Sequence, residues 1–121
     1  MNDKLRQIIT IERTLSQLRQ TLKFNFKMTL EEFILLYHVY ENEKLSGKAL
    51  RDTLHFELMW DMSKIDVLIR KVYKKELVAK MRSETDERQV YYYFEPAQKS
   101  FFVEVVEKIE QNDDHILAEI V

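Results

Sequence analysis

Ser63-Lys64-Ile65-Asp66-Val67-Leu68-Ile69-Arg70-Lys71-Val72-Tyr73-Lys74-Lys75 is the stretch from which the fold of this chain is read. Ser63 suits a helix N-cap and Asp66 the third helical position, while Ile65, Leu68, Ile69 and Val72 recur at helical spacing and form a stripe that must face a core. At about 100° per residue the opposite arc collects Lys64, Val67, Arg70, Lys71 and Lys74. The helix therefore has two jobs, one face for packing and one face of cations around a single small apolar side chain.

Directly after it, Leu77, Ala79 and Met81 alternate with Val78, Lys80 and Arg82, a period of two that suits a strand with one wet face. Ser83-Glu84-Thr85-Asp86-Glu87-Arg88 is a polar turn, and Gln89-Val90-Tyr91-Tyr92-Tyr93-Phe94-Glu95 returns as a second strand rich in β-branched and aromatic residues, which Pro96 stops. A lone hairpin is marginal in water, so it must lean on neighbouring helices. A basic helix followed by such a hairpin reads as the recognition helix and wing of a winged helix-turn-helix. The expected fold is α+β and mostly α, with the helix-turn-helix over about 46–75, the wing over about 77–95 and long terminal helices over about 3–24 and 97–120.

Outward from that centre, Leu5, Ile8, Ile9, Leu15, Leu18 and Leu22 line one side of a long amphipathic helix. Ile8, Leu15 and Leu22 stand seven apart, a spacing that fits packing against another helix, the plainer alternative being that the helix covers its own core. Thr29-Leu30-Glu31-Glu32 forms a capping box, and the helix it opens is apolar on nearly every side from Leu30 to Tyr40, the spine of the domain. Ser46-Gly47 can cap a short helix from Lys48 to Leu54. A helix-turn-helix has a turn of about three or four residues at that point, whereas His55 to Met62 intervene here and either extend a flanking helix or form a loop held by Phe56, Met59 and Trp60. Beyond Pro96, Phe102, Val105 and Ile109 give the last helix its stripe, with Gln111-Asn112-Asp113-Asp114 as a polar interruption. Leu5, Ile8, Leu15, Leu18, Leu22, Phe102, Val105 and Ile109 are the candidate dimerisation residues, because two amphipathic end helices offer more apolar surface than one small core covers.

The chain of 121 residues fits one domain, 1–121. Its net charge of −2 is unevenly spread: residues 64–94 hold eight basic and five acidic side chains, residues 95–121 two and seven. Screening over about 8 to 10 Å lets a basic face meet phosphate while an acidic end points away. Without cysteine there is no thiol-based redox sensing and no zinc finger, and His38, His55 and His115 form no ligand pair, so no metal or other cofactor is called for. Glu31/Glu32 and Glu107/Glu110 suit caps and solvated faces, and a single glycine excludes a glycine-rich phosphate loop, so no catalytic residue is assigned. The N-terminus lacks a signal-peptide core and the longest apolar run, Phe33 to Tyr37, is too short for a bilayer, which predicts a cytoplasmic protein with no membrane partner.

Arg82-Ser83-Glu84-Thr85-Asp86-Glu87-Arg88, with Asp-Glu-Arg at the hairpin tip, resembles the wing of the staphylococcal accessory regulators, the Sar family, small relatives of the MarR-type winged-helix proteins. Arg13-x-Leu15-Ser16-Gln17-Leu18, Glu31-Glu32-Phe33, Ser46-Gly47-Lys48, Arg51-Asp52-Thr53-Leu54-His55-Phe56-Glu57 and Lys64-Ile65-Asp66-Val67 extend the resemblance over nearly the whole chain. It implies a homodimeric regulator of virulence or autolysis genes at A·T-rich promoter DNA, as activator or repressor. Lys64, Arg70, Lys71 and Lys74 are then expected on phosphates, Val67 at a thymine methyl, and Arg82 and Arg88 in the wing contact. Asp86 and Glu87 support the wing, Asp86 by accepting from turn N–H groups or holding Arg88. A helical protein-interaction module and a small-molecule-responsive repressor remain the alternatives; the latter rests only on aromatics able to line a cleft, and no effector is named by the residues.

Overall fold

A computed structural model describes the backbone of residues 2–86 and 88–120 and the side chains of residues 2–86 and 88–111. In chain order the elements are α1 (Asp3–Phe26), α2 (Leu30–Tyr40), β1 (Leu45–Ser46), α3 (Gly47–Leu58), α4 (Met62–Lys74), β2 (Ala79–Arg82), β3 (Val90–Tyr93) and α5 (Pro96–Ile120). They form two compact units, Glu31–Phe102 and the terminal pair Met1–Leu30 with Val103–Val121. Among the described residues no helix is long and apolar enough to cross a membrane.

The 31–102 unit is a helical layer with a three-stranded antiparallel sheet of order β1-β3-β2. β3 pairs with β2 through Ala79 opposite Tyr93 and Arg82 opposite Val90, and with β1 through Leu45 opposite Tyr92. β1 is a strand the sequence did not announce, since two residues are too few for a period-two pattern. Its effect is to give the wing a third strand, which a free hairpin lacks. In β2 Lys80 and Arg82 are exposed as expected, but the alternation fails on the other side: Met81 is exposed too, and the buried residue is Val78, just before the strand. Lys80 lies 4.2 Å over the Tyr73 ring of α4, so its ammonium is held against an aromatic face.

α3 runs four residues further than expected. Leu50 and Leu54 are fully buried and Leu58 continues their i+4 stripe at intermediate depth. Met59 closes the helix in the left-handed region at φ 59°, donating its N–H to His55 O at 3.0 Å, and a His55 Nδ1 contact to Trp60 O at 2.8 Å ties the turn. Only Met59, Trp60 and Asp61 then separate α3 from α4, which restores the short turn of a helix-turn-helix. α4 correspondingly starts two residues early, with Asp61 as N-cap in place of Ser63, although the Asp61 side chain makes no capping hydrogen bond.

Two features hold α2 at the centre of the unit. Phe102 at the start of α5 stacks on Phe33 at 5.4 Å and meets Tyr40 at 5.3 Å and Phe94 at 5.5 Å, an aromatic cluster that closes one side. On the other, the Glu32 carboxylate, expected to reach back over its own helix start, is fully buried with both oxygens within 3.0 Å of Lys75 Nζ. This pair joins α2 to the C-terminal end of α4. α5 begins with Pro96 at its first position, where a missing N–H is harmless, and Gln98 accepts from Glu95 N–H while donating to Glu76 O. Its backbone stays helical through the polar interruption at 111–114.

In the terminal unit α1 is capped by Asn2, whose side chain accepts from Leu5 N–H, and ends at Lys27 in the left-handed region. Of the apolar positions expected at a subunit contact, Leu22, Phe102, Val105 and Ile109 are buried within the single chain, Leu15 and Leu18 are half-buried, and Leu5 and Ile8 are exposed. The first four therefore serve the protomer's own interior.

Removing Lys75 should leave a buried carboxylate without its ion, so Lys75→Ala is expected to cost about 2 to 4 kcal/mol, somewhat below a fully buried pair because the lysine is partly solvated. Replacing both partners together, Glu32→Leu with Lys75→Leu, should recover most of that loss. Urea denaturation of the two variants beside the parent protein checks this, and equal stability of Lys75→Ala and parent would show that the pair holds nothing.

Candidate nucleic-acid interface

α4 takes its orientation from burial. Ile65, Leu68, Ile69 and Val72 are between 0% and 7% exposed, and this stripe fixes the rotation of the helix about its axis. The opposite arc is then set by geometry: Lys64, Val67, Arg70, Lys71 and Lys74 are all exposed, Val67 at 52%. An apolar side chain at the centre of a wet cationic arc has no packing role in the protomer.

The flanks of this arc differ. At its N-terminal end Lys64 Nζ sits 4.5 Å over the Trp60 ring, which holds the cation at the α3–α4 turn. Asp66 lies beside the arc with its carboxylate 4.0 Å from Arg51 Nη1 on α3, a loose pair between half-exposed groups. Phe56 on the last turn of α3 and Met59 in the turn that follows are largely exposed, so the approach to α4 is apolar as well as charged.

The wing carries Arg82 at the end of β2, in register with Val90, and Arg88 in the turn; both are exposed. The tip is shaped by its own side chains. Ser83 Oγ accepts from Thr85 N–H and Asp86 N–H, and Asp86 Oδ1 accepts from Arg88 N–H at 3.0 Å. Gln89 N–H donates to Asp86 O and Ser83 N–H to Gln89 O, closing the turn. Glu87 lies outside the described residues. Tyr91, Tyr92 and Tyr93 alternate sides: Lys44 covers Tyr91 at 4.7 Å, Tyr93 donates its hydroxyl to Glu95, and Tyr92 turns inward, where burial raises its phenol above the ordinary value against the pull of Arg51.

Two cations that sequence reasoning passed over belong to the same region. Lys48 and Arg51 on α3 line a small pocket together with Arg88, Ser46, Gly47 and Tyr92. The available signal was spacing: positions 48 and 51 are three apart in a helix beginning at Ser46-Gly47, and so share a face. Convergence with Arg88 was not legible, because it depends on β3 pairing with β1. Among the described residues no group of three His, Asp or Glu side chains could hold a metal.

The fold is that of solved winged-helix regulators. A mutant MarR of E. coli superposes with a TM-score of 0.79 at 12% identity, over 100% of this chain and 85% of that one. BldR of Sulfolobus solfataricus gives 0.72 at 21% identity, over 98% and 86%. The same MarR mutant complexed with operator DNA gives 0.71 at 13% identity, over 93% and 74%. In sequence, residues 17–105 match the family model for the transcriptional regulators SarA/Rot. The chain is 56% identical over 110 residues to the HTH-type transcriptional regulator SarV of Staphylococcus aureus, covering 91% of this chain and 95% of that protein. It is 26% identical to SarU of the same species, over 90% of this chain but 43% of that protein. With a winged helix-turn-helix in place and a family match over most of its length, the chain belongs to the SarA/Rot family of transcriptional regulators and is not an enzyme.

Proposed function

We propose that the protein is a homodimeric regulator that binds A·T-rich promoter DNA in the cytoplasm, placing one α4 per protomer in a major groove and one wing over the flanking backbone or minor groove. The observation that carries this is the outer arc of α4, four cations around an exposed valine on a helix whose other face is locked into the core. Lys64, Arg70, Lys71 and Lys74 hold register on phosphates, Val67 reads a thymine methyl, and Arg82 and Arg88 anchor the wing, with Asp86 shaping its turn and Glu87 beside it at the tip. The MarR mutant solved with operator DNA supports the mode of docking through its fold alone. Identity to SarV supports the role of transcriptional regulator, and the resemblance of the wing to the staphylococcal accessory regulators implies virulence or autolysis genes as its targets, under activation or repression.

Dimerisation is proposed through the exposed apolar face of α1. Leu5, Ile8, Ile9 and Ile11 are 40% to 61% exposed along its N-terminal half, with Leu15 and Leu18 half-buried behind them. A second copy is the partner that a symmetric regulator offers to such a face.

Phosphate and base contacts should fail differently when removed. Lys74→Ala should weaken binding to all duplexes alike and flatten the slope of log affinity against log salt by about 0.9 for each phosphate no longer neutralised. Val67→Ser should keep the slope and relax preference at one base position per half-site, by roughly 1 to 3 kcal/mol at most. Fluorescence anisotropy over a salt series, on an A·T-rich promoter duplex and a scrambled one, measures both. An unchanged slope and affinity in Lys74→Ala would place the wrong arc of α4 against DNA.

Ile8→Asp puts a charge where the protomer itself needs nothing. Light scattering should report a shift from dimer to monomer with helical circular dichroism retained, and DNA affinity should fall because the two half-sites are no longer linked. A dimer of unaltered strength would move the contact elsewhere.

A further inference from the structure

We propose that the pocket formed by the first turn of α3 and the returning edge of the wing is a seat for one backbone phosphate of the DNA, held by Lys48, Arg51 and Arg88. The proposal rests on the DNA-binding reading above and adds to it two residues and a site. The pocket holds about 160 Å³, and among the described residues its lining contains these three cations and no carboxylate: the remaining walls are Ser46, Gly47, Gln89, Val90 and Tyr92. At roughly 30 Å³ per water this is room for a tetrahedral oxyanion with part of its hydration.

The three cations come from two places in the chain, Lys48 and Arg51 from α3 and Arg88 from the wing turn, and meet because β3 lies between β1 and β2. β1 leads straight into α3, so Lys48 and Arg51 are presented beside Val90 and Tyr92, and Arg88 arrives from the turn just before β3. Gathering three like charges in one small concavity is unfavourable unless an anion occupies it. Two carboxylates stand at the edge of this group, Asp66 at 4.0 Å from Arg51 and Asp86, whose Oδ1 accepts from the backbone N–H of Arg88, but neither is part of the pocket wall among the described residues. Lys48 and Arg88 are exposed and can close on a ligand in solution.

The position identifies the source of the phosphate. α4 follows α3 by a three-residue turn, and Arg51 is the residue that joins α3 to α4 through Asp66, while Arg88 belongs to the wing. A phosphate in this seat is therefore one on the strand that separates the groove entered by α4 from the groove reached by the wing. Arg88 acts there as a backbone anchor, and the contact fixes register without reading sequence. The seat also ties the wing to α3 through a shared anion.

The test is charge reversal at Lys48. A glutamate at this position would fall in the first turn of α3, where an acidic side chain favours the helix, so Lys48→Glu should fold at least as well as the parent protein by thermal circular dichroism. It should weaken binding to an A·T-rich duplex and to a scrambled duplex by the same factor, about tenfold or more, and lower the salt slope by at least about 0.9 for the phosphate left without its cation. Arg51→Gln, which removes the charge and keeps a polar side chain, should act in the same direction. If both variants keep parental affinity and slope while Lys74→Ala loses them, the seat is wrong and the α4 reading stands; if the parent protein shows no salt-dependent duplex binding, both fall. Titration of the 15N-labelled protein with inorganic phosphate supplies a further arm. Shifts of the Gly47, Lys48 and Arg88 amides that vanish in Lys48→Glu, together with the loss of duplex affinity, are the expected result, whereas phosphate binding without any effect of Lys48→Glu on duplex affinity would make the pocket a free-anion site and overturn the proposal.

Discussion

The rotation of α4 about its own axis is the constraint on which the rest of this molecule turns. Four buried side chains, Ile65, Leu68, Ile69 and Val72, allow one angular setting, because rotating the helix by a single position would drive a lysine or arginine into the core at a cost of several kcal/mol. The outer arc has no independent freedom. Its chemistry is chosen by which residues lie opposite the stripe, so the core contact and the cationic outer surface are written into the same thirteen residues of helix. The Glu32–Lys75 pair adds a second lock just beyond the C-terminal end of the helix, where apolar packing has stopped. A buried ion pair is weak support for stability, but it specifies which partner α2 accepts at that end.

Much of this was legible before any coordinates. The stripe of α4 and the apolar spine of α2 are long, periodic signals, and these helices and the two wing strands lie where the sequence placed them. The parts that were not legible are short or depend on distant partners. β1 has two residues and gains its identity only by pairing with Tyr91 and Tyr92. The end of α3 at Leu58 was obscured because Met59 sits in a left-handed conformation usually signalled by glycine, as do Lys27 and Glu76, and the one glycine of the chain, Gly47, does none of this work. The alternation of β2 misled at Met81, which is exposed, and at Val78, which takes the buried place just before the strand. Glu32 read as a cap residue, since its partner lies 43 positions away.

Overall charge was the poorest guide to function. A net −2 sits on a chain whose residues 64–94 carry an excess of cations, and both Lys48 and Arg51 lie outside that window. A winged helix gathers its positive field from α3, α4 and the wing through topology, so the relevant sum runs over a surface and not over a segment. A counted window of sequence finds the recognition helix and misses its neighbours.

On the docking proposed above, the hydrogen bonds of the wing tip bear on how fast the protein meets DNA. With Ser83 Oγ gathering two backbone N–H groups and Asp86 accepting from Arg88 N–H, the loop has a shape in the unbound protein. The ordering entropy that a slack loop would lose on complex formation was lost at folding, so the encounter needs only rigid-body alignment of the wing. On that docking, substitution of Ser83 is a lesion of approach: the arginines of the wing remain, while fewer collisions arrive with the loop already in shape.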